Sequence, residues 1–152
     1  MRMFLSILSA IFLVLVLSGC DAVSGKSSGA AREDATSKTG YYIPHDLEDA
    51  LLEVDRIMGE KGRSEVREVK SNYEMAAYHL GLGMWIRNNW GLRAGSQLSH
   101  YFNRIGIENA DDMSGIILDS YWRRLHDKPL DLEGQVRRYQ DYWKKMKAHP
   151  GG

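Results

Sequence analysis

The chain has 152 residues, with 20 basic and 20 acidic side chains and a formal net charge of zero. From residue 41 onwards 16 basic residues stand against 17 acidic ones. This balance argues against nucleic acid as a partner, because phosphate binding requires a basic patch. Cys20 is the only cysteine, which excludes an internal disulfide and leaves one thiol for any cysteine chemistry.

The first segment has the order of charge and hydropathy that is typical of an export signal. Arg2 is followed by a nearly unbroken apolar stretch, FLSILSAIFLVLVL, from Phe4 to Leu17. A membrane-spanning helix needs about 20 apolar residues, so this stretch is short for a permanent span. The sequence therefore predicts a signal peptide over residues 1–19.

The end of that segment, Leu17-Ser18-Gly19-Cys20, resembles the lipobox of bacterial lipoproteins. The resemblance implies that Cys20 is acylated, becomes the mature N-terminus and holds the protein at a membrane, facing the periplasm. Asp21 resembles a signal that retains some lipoproteins in the inner membrane, which favours that membrane over the outer one. An ordinary signal peptide with a chance cysteine, or an uncleaved anchor, is the alternative.

Residues 21–40 read DAVSGKSSGAAREDATSKTG, with no aromatic residue and little that could be buried. Such a segment cannot offset its chain entropy by burial, so the sequence predicts a flexible tether over 20–40. A coil of this length would hold the following domain roughly 25 Å from the bilayer.

Helical periodicity begins after Tyr41. A first helix is predicted behind Pro44, with an acidic first turn and an apolar stripe, and a short helix is predicted after Ser64. A capping box at Ser71 predicts a third helix through about Asn89. The third helix is apolar on nearly all sides, which is typical of a central, buried element. The stripe of the first helix comprises Leu47, Leu51, Val54 and Met58.

Three more helices follow in the same manner. Ser96 can cap a fourth helix, which ends at Gly106. Asn109 or Asp111 can cap a fifth helix. Pro129 then breaks the chain, and Asp131 can cap a last helix. No segment alternates apolar and polar residues as a strand would. The sequence predicts an all-α fold, a small irregular bundle of five or six helices over residues 41–147 with a disordered tail at 148–152. The apolar stripe of the last helix comprises Leu132, Val136, Tyr139, Trp143 and Met146.

Three blocks are distinctive: YYIPHDLEDA at 41–50, GLGMWIRNNWGL at 81–92 and DDMSGIIL at 111–118. Together they resemble an uncharacterised bacterial domain family of unknown function, over about Tyr41 to Lys145. Arg93 stands where the family pattern has an aromatic residue. The resemblance implies the extent of the domain and brings no activity, substrate or catalytic residue with it.

Glycine at positions 81 and 83 costs a helix about 1 kcal/mol each relative to alanine, so close approach of another helix or of a ligand is expected there. His79, Gly83 and Arg87 share one stripe. Arg87 needs an acceptor, which Asp111 or Asp112 can supply either as a structural ion pair or as part of an anion site. The candidate polar cluster, for binding or for structure, comprises His79, Arg87, Asn88, Asn89, Asp111 and Asp112.

No arrangement of residues predicts catalysis. The histidines lack a metal-ligand spacing, so neither a metal site nor a cofactor is predicted. Asp111 and Asp112 are adjacent and diverge at a helix start, and neither Ser96 nor Ser114 lies in a GxSxG motif. No catalytic residue is assigned, although a hydrolase that uses Arg87 with Asp111 and Asp112 stays open.

These observations favour a binding module: a lipid-anchored helical domain that captures a protein partner, with an immunity or inhibitor-like role against a periplasm-acting toxin as the preferred form. A structural or accessory envelope lipoprotein is the alternative. Trp90, Trp122 and Trp143 are the candidate partner contacts, with core packing as the expected fate of at least two. Charge is polarised between residues 41–60, which are acidic, and 121–147, which are basic. The two ends are expected to be solvated or to pair with each other.

Overall fold

A computed structural model describes residues 36–37 and 40–149. The predicted signal peptide, the lipidation site Cys20, most of the predicted tether and residues 150–152 lie outside the described residues. Within the described part the chain forms six α-helices and one π-helical turn. These are α1 (Leu47–Glu68), α2 (Ala76–Tyr78), the π turn (His79–Gly83), α3 (Met84–Asn89), α4 (Gln97–Arg104), α5 (Ala110–Leu125) and α6 (Leu132–Ala148). The predicted all-α fold class is confirmed.

Helix α1 contains both the predicted first helix and the predicted short helix after Ser64. It begins where the carboxylate of Asp46 accepts a hydrogen bond from the backbone N–H of Asp49, at 2.9 Å. Gly59, with φ 60° and ψ −170°, is not helical and divides this 22-residue span into two helical segments that meet at a kink. The conformation costs glycine little because it has no Cβ, and the predicted short helix lies in the second segment.

Helix α5 lies at the centre of the bundle. Its start is capped by Asn109, whose side-chain oxygen accepts from the backbone N–H of Asp111 at 2.8 Å. It packs against α1, the π turn, α3, α4 and α6. Because it is surrounded, its apolar side chains provide much of the core. Its buried residues are Ala110, Met113, Ser114, Gly115, Ile116, Ile117, Leu118, Ser120, Tyr121 and Trp122.

The prediction that the segment Ser71–Asn89 is one central, buried helix is wrong. Leu80 and Met84 are 81% and 52% exposed, and the segment is divided into α2, the π turn and α3. The Ser71 hydroxyl donates to the Glu74 carboxylate at 3.2 Å instead of capping a helix. The π turn and α3 of this segment pack against α5. Helix α5 also packs against α1, α4 and α6, so α5 is the central helix.

Helix α6 is held mainly by its first half. The Gln135 amide is fully buried and donates to the Ser120 hydroxyl at 2.9 Å and to the carbonyl of Leu130 at 2.8 Å. From Asp141 onwards every described residue of α6 is exposed. The predicted apolar stripe is therefore only partly buried: its first three residues pack on the core, whereas Trp143 and Met146 are 39% and 46% exposed.

Two features at the edges of the bundle bear on the predicted tether and charge distribution. Thr36 pairs with Tyr42 in an antiparallel bridge, and Ser37 N–H donates to the carbonyl of Tyr41 at 2.7 Å. Residues 36–37, which lie within the predicted tether, therefore contact the start of the domain.

Arg124 in α5 forms an ion pair with Glu48 in α1, so the basic and acidic ends of the domain meet at this point. None of the described helices has the length and apolarity needed to cross a membrane.

Candidate functional site

Arg87 is almost fully enclosed and all three of its nitrogens have partners. Its Nε lies 3.0 Å from Asp111 Oδ1, one terminal nitrogen donates to the Ser114 hydroxyl at 2.8 Å, and the other reaches the carbonyl of His79 at 3.5 Å. The side chain is 11% exposed. Arg87 therefore joins the π turn to the first turn of α5, and Asp111, not Asp112, is the acceptor.

The two glycines of the GLG block have different surroundings. A Cβ on Gly83 would lie 3.3 Å from Leu118 Cδ1 and 3.1 Å from the Arg87 guanidinium. A Cβ on Gly81 would have nothing within 4 Å. Close approach of α5 explains Gly83, whereas nothing in the structure explains glycine at position 81.

A groove of about 830 Å³ lies where the start of α5, the second half of α6 and the segment around α2 meet. We call it the α5–α6 groove. Four of the candidate residues line it: His79, Asp111, Asp112 and Trp143. A Cβ on Gly115 would lie 2.2 Å from the Tyr139 hydroxyl, so this glycine lets the phenol pack on the backbone of α5. The other lining residues include Tyr73, Ala76, Asp119, Arg138 and Tyr142.

Asp112 differs from the other two carboxylates in the groove. Asp111 is paired with Arg87 and with Arg93, and Asp119 is paired with Arg138 at 3.0 Å. Across residues 36–37 and 40–149, no ion pair engages Asp112; its Oδ2 instead accepts a hydrogen bond from Trp143 Nε1 at 2.6 Å. Asp112 is thus the carboxylate of the groove without a cation.

Burial raises the pKa of the Asp112 carboxyl, and the neighbouring charge of Asp111 adds to this effect. The hydrogen bond from Trp143 acts in the opposite direction because it stabilises the ionised form. A cation brought against this carboxylate would offset the cost of its partial burial.

His79 is the first residue of the π turn and borders the groove. Burial lowers the pKa of its imidazole, the Arg87 charge lowers it further, and Asp111 partly opposes both. The surroundings therefore favour the neutral ring. Single π turns in otherwise α-helical segments are frequent at functional sites, which marks this position independently of its titration.

Two of the three candidate contact tryptophans are buried in the core, and the third is exposed. Trp90 is fully buried and packs edge-on against Trp85, with ring centroids 6.1 Å apart. Trp122 is 5% exposed, and its Nε1 donates to the carbonyl of Val69 at 2.7 Å. Both pack in the core, as the core alternative expects, and Trp143 alone of the three is exposed at the groove.

The structure does not bring Asn88 and Asn89 to the groove. Neither lines it, and the Asn89 amide donates to the carbonyl of Trp85 within its own helix at 2.9 Å. Sequence reasoning missed Tyr73 and Tyr142, which line the groove and are 89% and 52% exposed. Tyr142 could have been found from the sequence, because it stands next to Trp143 on a strongly charged helix. Tyr73 lies in a turn, where no pattern in the sequence marks it as a groove residue.

A second depression, of about 460 Å³, shares Asn109, Asp112 and Trp143 with the groove. The hydrogen bond between Asp112 and Trp143 therefore separates two concave surfaces. The second depression is also lined by Lys144 and Lys147 and by Glu108, so its lining carries both signs of charge. Within residues 36–37 and 40–149, no group of three or more His, Cys, Asp or Glu side chains is placed so that it could hold a metal ion.

A single family defines the class of the protein. The profile of DUF6794, a domain of unknown function, matches residues 43–125, more than half of the chain. The chain belongs to this family. The matched part begins just before α1 and ends at the last residue of α5, so α6 and with it Trp143 lie beyond the match. No curated protein and no solved structure gives a significant match to the chain.

Proposed function

We propose that this protein is a lipid-anchored envelope lipoprotein whose helical domain captures a protein partner in the α5–α6 groove. The observation that carries the proposal is the gathering of exposed aromatic side chains around one concave surface. Tyr73, Tyr142 and Trp143 are 89%, 52% and 39% exposed and all line the groove. Tyrosine and tryptophan are the residues most enriched among the energetically dominant contacts of protein interfaces.

The anchor part of the proposal is supported by the likeness of residues 17–20 to a lipobox. Acylation at Cys20 would place two or three chains in the bilayer, which is enough for stable attachment. Asp21 supports the inner membrane, with the domain in the periplasm. The tether before Thr36 would then confine partner capture to a shell close to the membrane surface.

Replacing Cys20 by serine tests the anchor. We expect Cys20→Ser to abolish incorporation of labelled palmitate. Ser18→Ala, a change between small residues in the same segment, is the matched control and should leave labelling intact. Palmitate incorporation into Cys20→Ser would overturn the lipoprotein assignment.

A photo-crosslinking amino acid at position 142 tests partner capture. In living cells the full-length protein should form a discrete crosslinked product from position 142, at the rim of the groove. Leu52 on α1 is 57% exposed and does not line the groove, so the same probe at position 52 is the control. Equal crosslinking from both positions, or none from position 142, would contradict the proposal.

The identity of the crosslinked protein separates the two forms of the proposal. An immunity or inhibitor-like role predicts a toxin delivered by a competing cell, and it predicts that loss of the protein sensitises the producing cell to that toxin. An accessory role predicts a resident component of the cell's own envelope. The immunity form is preferred because a small, tethered domain suits the interception of a toxin at the membrane.

A hydrolase is the second candidate, and one observation favours it. His79 and Asp112 line the same groove, and burial displaces the pKa of each from its ordinary value, as is frequent for groups at functional sites. Arg87 does not support it, because its nitrogens are occupied by Asp111, Ser114 and the carbonyl of His79.

Turnover of generic chromogenic esters and phosphoesters by the full-length protein tests this candidate. It predicts activity that is lost in His79→Gln and Asp112→Asn and retained in His100→Gln, whose histidine is exposed on α4. Activity that survives both groove variants would contradict it.

A further inference from the structure

We infer that the α5–α6 groove takes a lysine or arginine side chain of the partner, with its cation against Asp112 and beside the rings of Tyr142 and Trp143. This inference rests on the proposed function and specifies the chemistry of its partner. It follows from the charges, rings and space that the groove provides.

The carboxylates of the groove differ in whether they are paired with a cation. Of the three groove carboxylates, Asp111 and Asp119 are already neutralised by arginines of the chain, and Asp112 has no ion pair within residues 36–37 and 40–149. Arg138, the cation that lines the groove, is committed to Asp119 at 3.0 Å. The groove therefore presents one carboxylate that a foreign cation can pair with.

The aromatic lining is the second argument. Tyr142 and Trp143 meet edge to face with centroids 5.3 Å apart, and Trp143 is fixed beside Asp112 by its 2.6 Å hydrogen bond. Tyr139 and Tyr73 line the same space. Aromatic faces attract ammonium and guanidinium groups, most strongly where water is partly excluded. A carboxylate with aromatic neighbours selects a cation with an apolar stem, which describes both lysine and arginine.

Space is the third argument. A volume of about 830 Å³ is within the range of pockets that enclose small ligands, so it admits a long side chain and the peptide on either side of it. The basic residues Lys144 and Lys147 line the second depression and not this groove. The second depression shares Asp112, but Lys144 is paired with Asp141 at 3.6 Å, and within residues 36–37 and 40–149 neither lysine forms an ion pair with Asp112.

Two capped tripeptides that differ in one functional group test the inference. The full-length protein, labelled with nitrogen-15 in a non-ionic detergent, is titrated with acetyl-Gly-Arg-Gly-amide and with its citrulline analogue, which has the same shape without the charge. The Trp143 indole N–H signal, identified by its absence in Trp143→Phe, is the readout. We expect the arginine peptide to shift this signal saturably and to bind at least ten-fold more tightly than the citrulline peptide.

Matched variants locate the cation. Asp112→Asn keeps an oxygen acceptor for Trp143 and should weaken the arginine peptide at least five-fold. Asp141→Asn removes the same charge from α6 outside the groove, and its affinity should equal that of the wild type. The pKa of Asp112, followed by NMR, should fall when the arginine peptide binds, because a nearby cation stabilises the ionised carboxylate.

Equal binding of the citrulline and arginine peptides, or unchanged affinity in Asp112→Asn, would overturn the inference. A shift of the Trp143 signal by anionic vesicles that the arginine peptide cannot reverse would also overturn it, since the groove would then face a membrane. These outcomes are separable from failure of the proposed function. A crosslinked partner at position 142 with no preference for arginine leaves partner capture standing, and arginine selectivity without any crosslink overturns partner capture alone.

Discussion

The two sides of helix α5 differ in how they are covered. Towards α1 the contact is extensive and mostly apolar, with a polar contact where the Tyr121 hydroxyl donates to Asp55 at 3.1 Å. Towards α6 the contact combines three partly buried apolar residues of α6 with polar pairs such as Gln135 with Ser120 and Trp143 with Asp112, and a groove remains open between the helices. Under the proposed function, the α1 side of α5 provides stability and the α6 side provides recognition.

Loss of a core leucine on the α1 side should have the largest effect on stability. Leu51 is fully buried, so Leu51→Ala should lower the free energy of unfolding by about 3 kcal/mol through lost burial and the resulting cavity. Leu52, the next residue, is 57% exposed, and Leu52→Ala should cost under about 0.5 kcal/mol. Urea denaturation measures both. Similar losses for the two variants would show that α1 does not seal the core.

Removal of Arg87 tests the junction between the π turn and the start of α5. Arg87→Ala should lower the free energy of unfolding by about 2 kcal/mol, or Tm by on the order of 10 °C, because Asp111 and Ser114 lose an enclosed partner. Arg93 contacts the same carboxylate but is 64% exposed, so Arg93→Ala should cost under about 0.5 kcal/mol. A fully stable Arg87→Ala protein that no longer captures its partner would assign Arg87 to binding instead.

A methyl group at Gly115 tests the contact between α5 and α6. Gly115→Ala places Cβ 2.2 Å from the Tyr139 hydroxyl, so the phenol must move, at a cost of about 1 kcal/mol. Gly81→Ala meets nothing within 4 Å and should stabilise the protein by about 0.5 kcal/mol through helix propensity. Thermal denaturation of the two variants should therefore give shifts of opposite sign. A stabilised Gly115→Ala protein would mean that α6 is loosely held.

Neutralising Asp112 should have the smallest effect on stability, and of the unusual sign. Because burial raises the pKa of this carboxyl in the folded protein, the stability that it contributes is present below the ordinary aspartate pKa of about 3.9 and is lost as pH rises through the folded value. Asp112→Asn should thus raise Tm slightly at pH 7, with no gain at pH 3. A lower Tm at pH 7 would indicate that the charge stabilises the fold and is not held for a ligand.

Much of the fold could be predicted from local patterns. Periodicity located α1, α4, α5 and α6, and the caps Ser96 and Asn109 marked the starts of α4 and α5, because an N-cap satisfies a helix end wherever the helix lies in the bundle. The predicted cap of α6, Asp131, forms no side-chain capping hydrogen bond. Burial was harder. The segment around Leu80 and the helix from Ala110 are both apolar, and only the number of packed neighbours decides which one is central. That number depends on tertiary contacts, and the 3.6-residue period of a helix carries no information about them.

The candidate site was predicted in part for the same reason. Local spacing placed His79 and Arg87 on one stripe, and a local cap placed Asp111 and Asp112 in the first turn of α5. The structure brings the stripe and this turn together. The aromatic half of the groove comes from α6 and from the turn before α2. Trp90 and Trp143 have the same chemistry, and only their places in the bundle separate a core residue from a surface one.

The π turn makes the groove sensitive to chain length. A π turn holds one residue more than the α-helical turn that it replaces. Removing the exposed Leu80 would restore α-helical hydrogen bonding, leave Met84–Asn89 in register with α5, and rotate His79 by about 100° about the helix axis. A relative one residue shorter between Tyr78 and Met84 would keep the Arg87 pair and lose the histidine from the groove. Insertion or deletion of a single codon here would therefore change the groove while the fold stays the same.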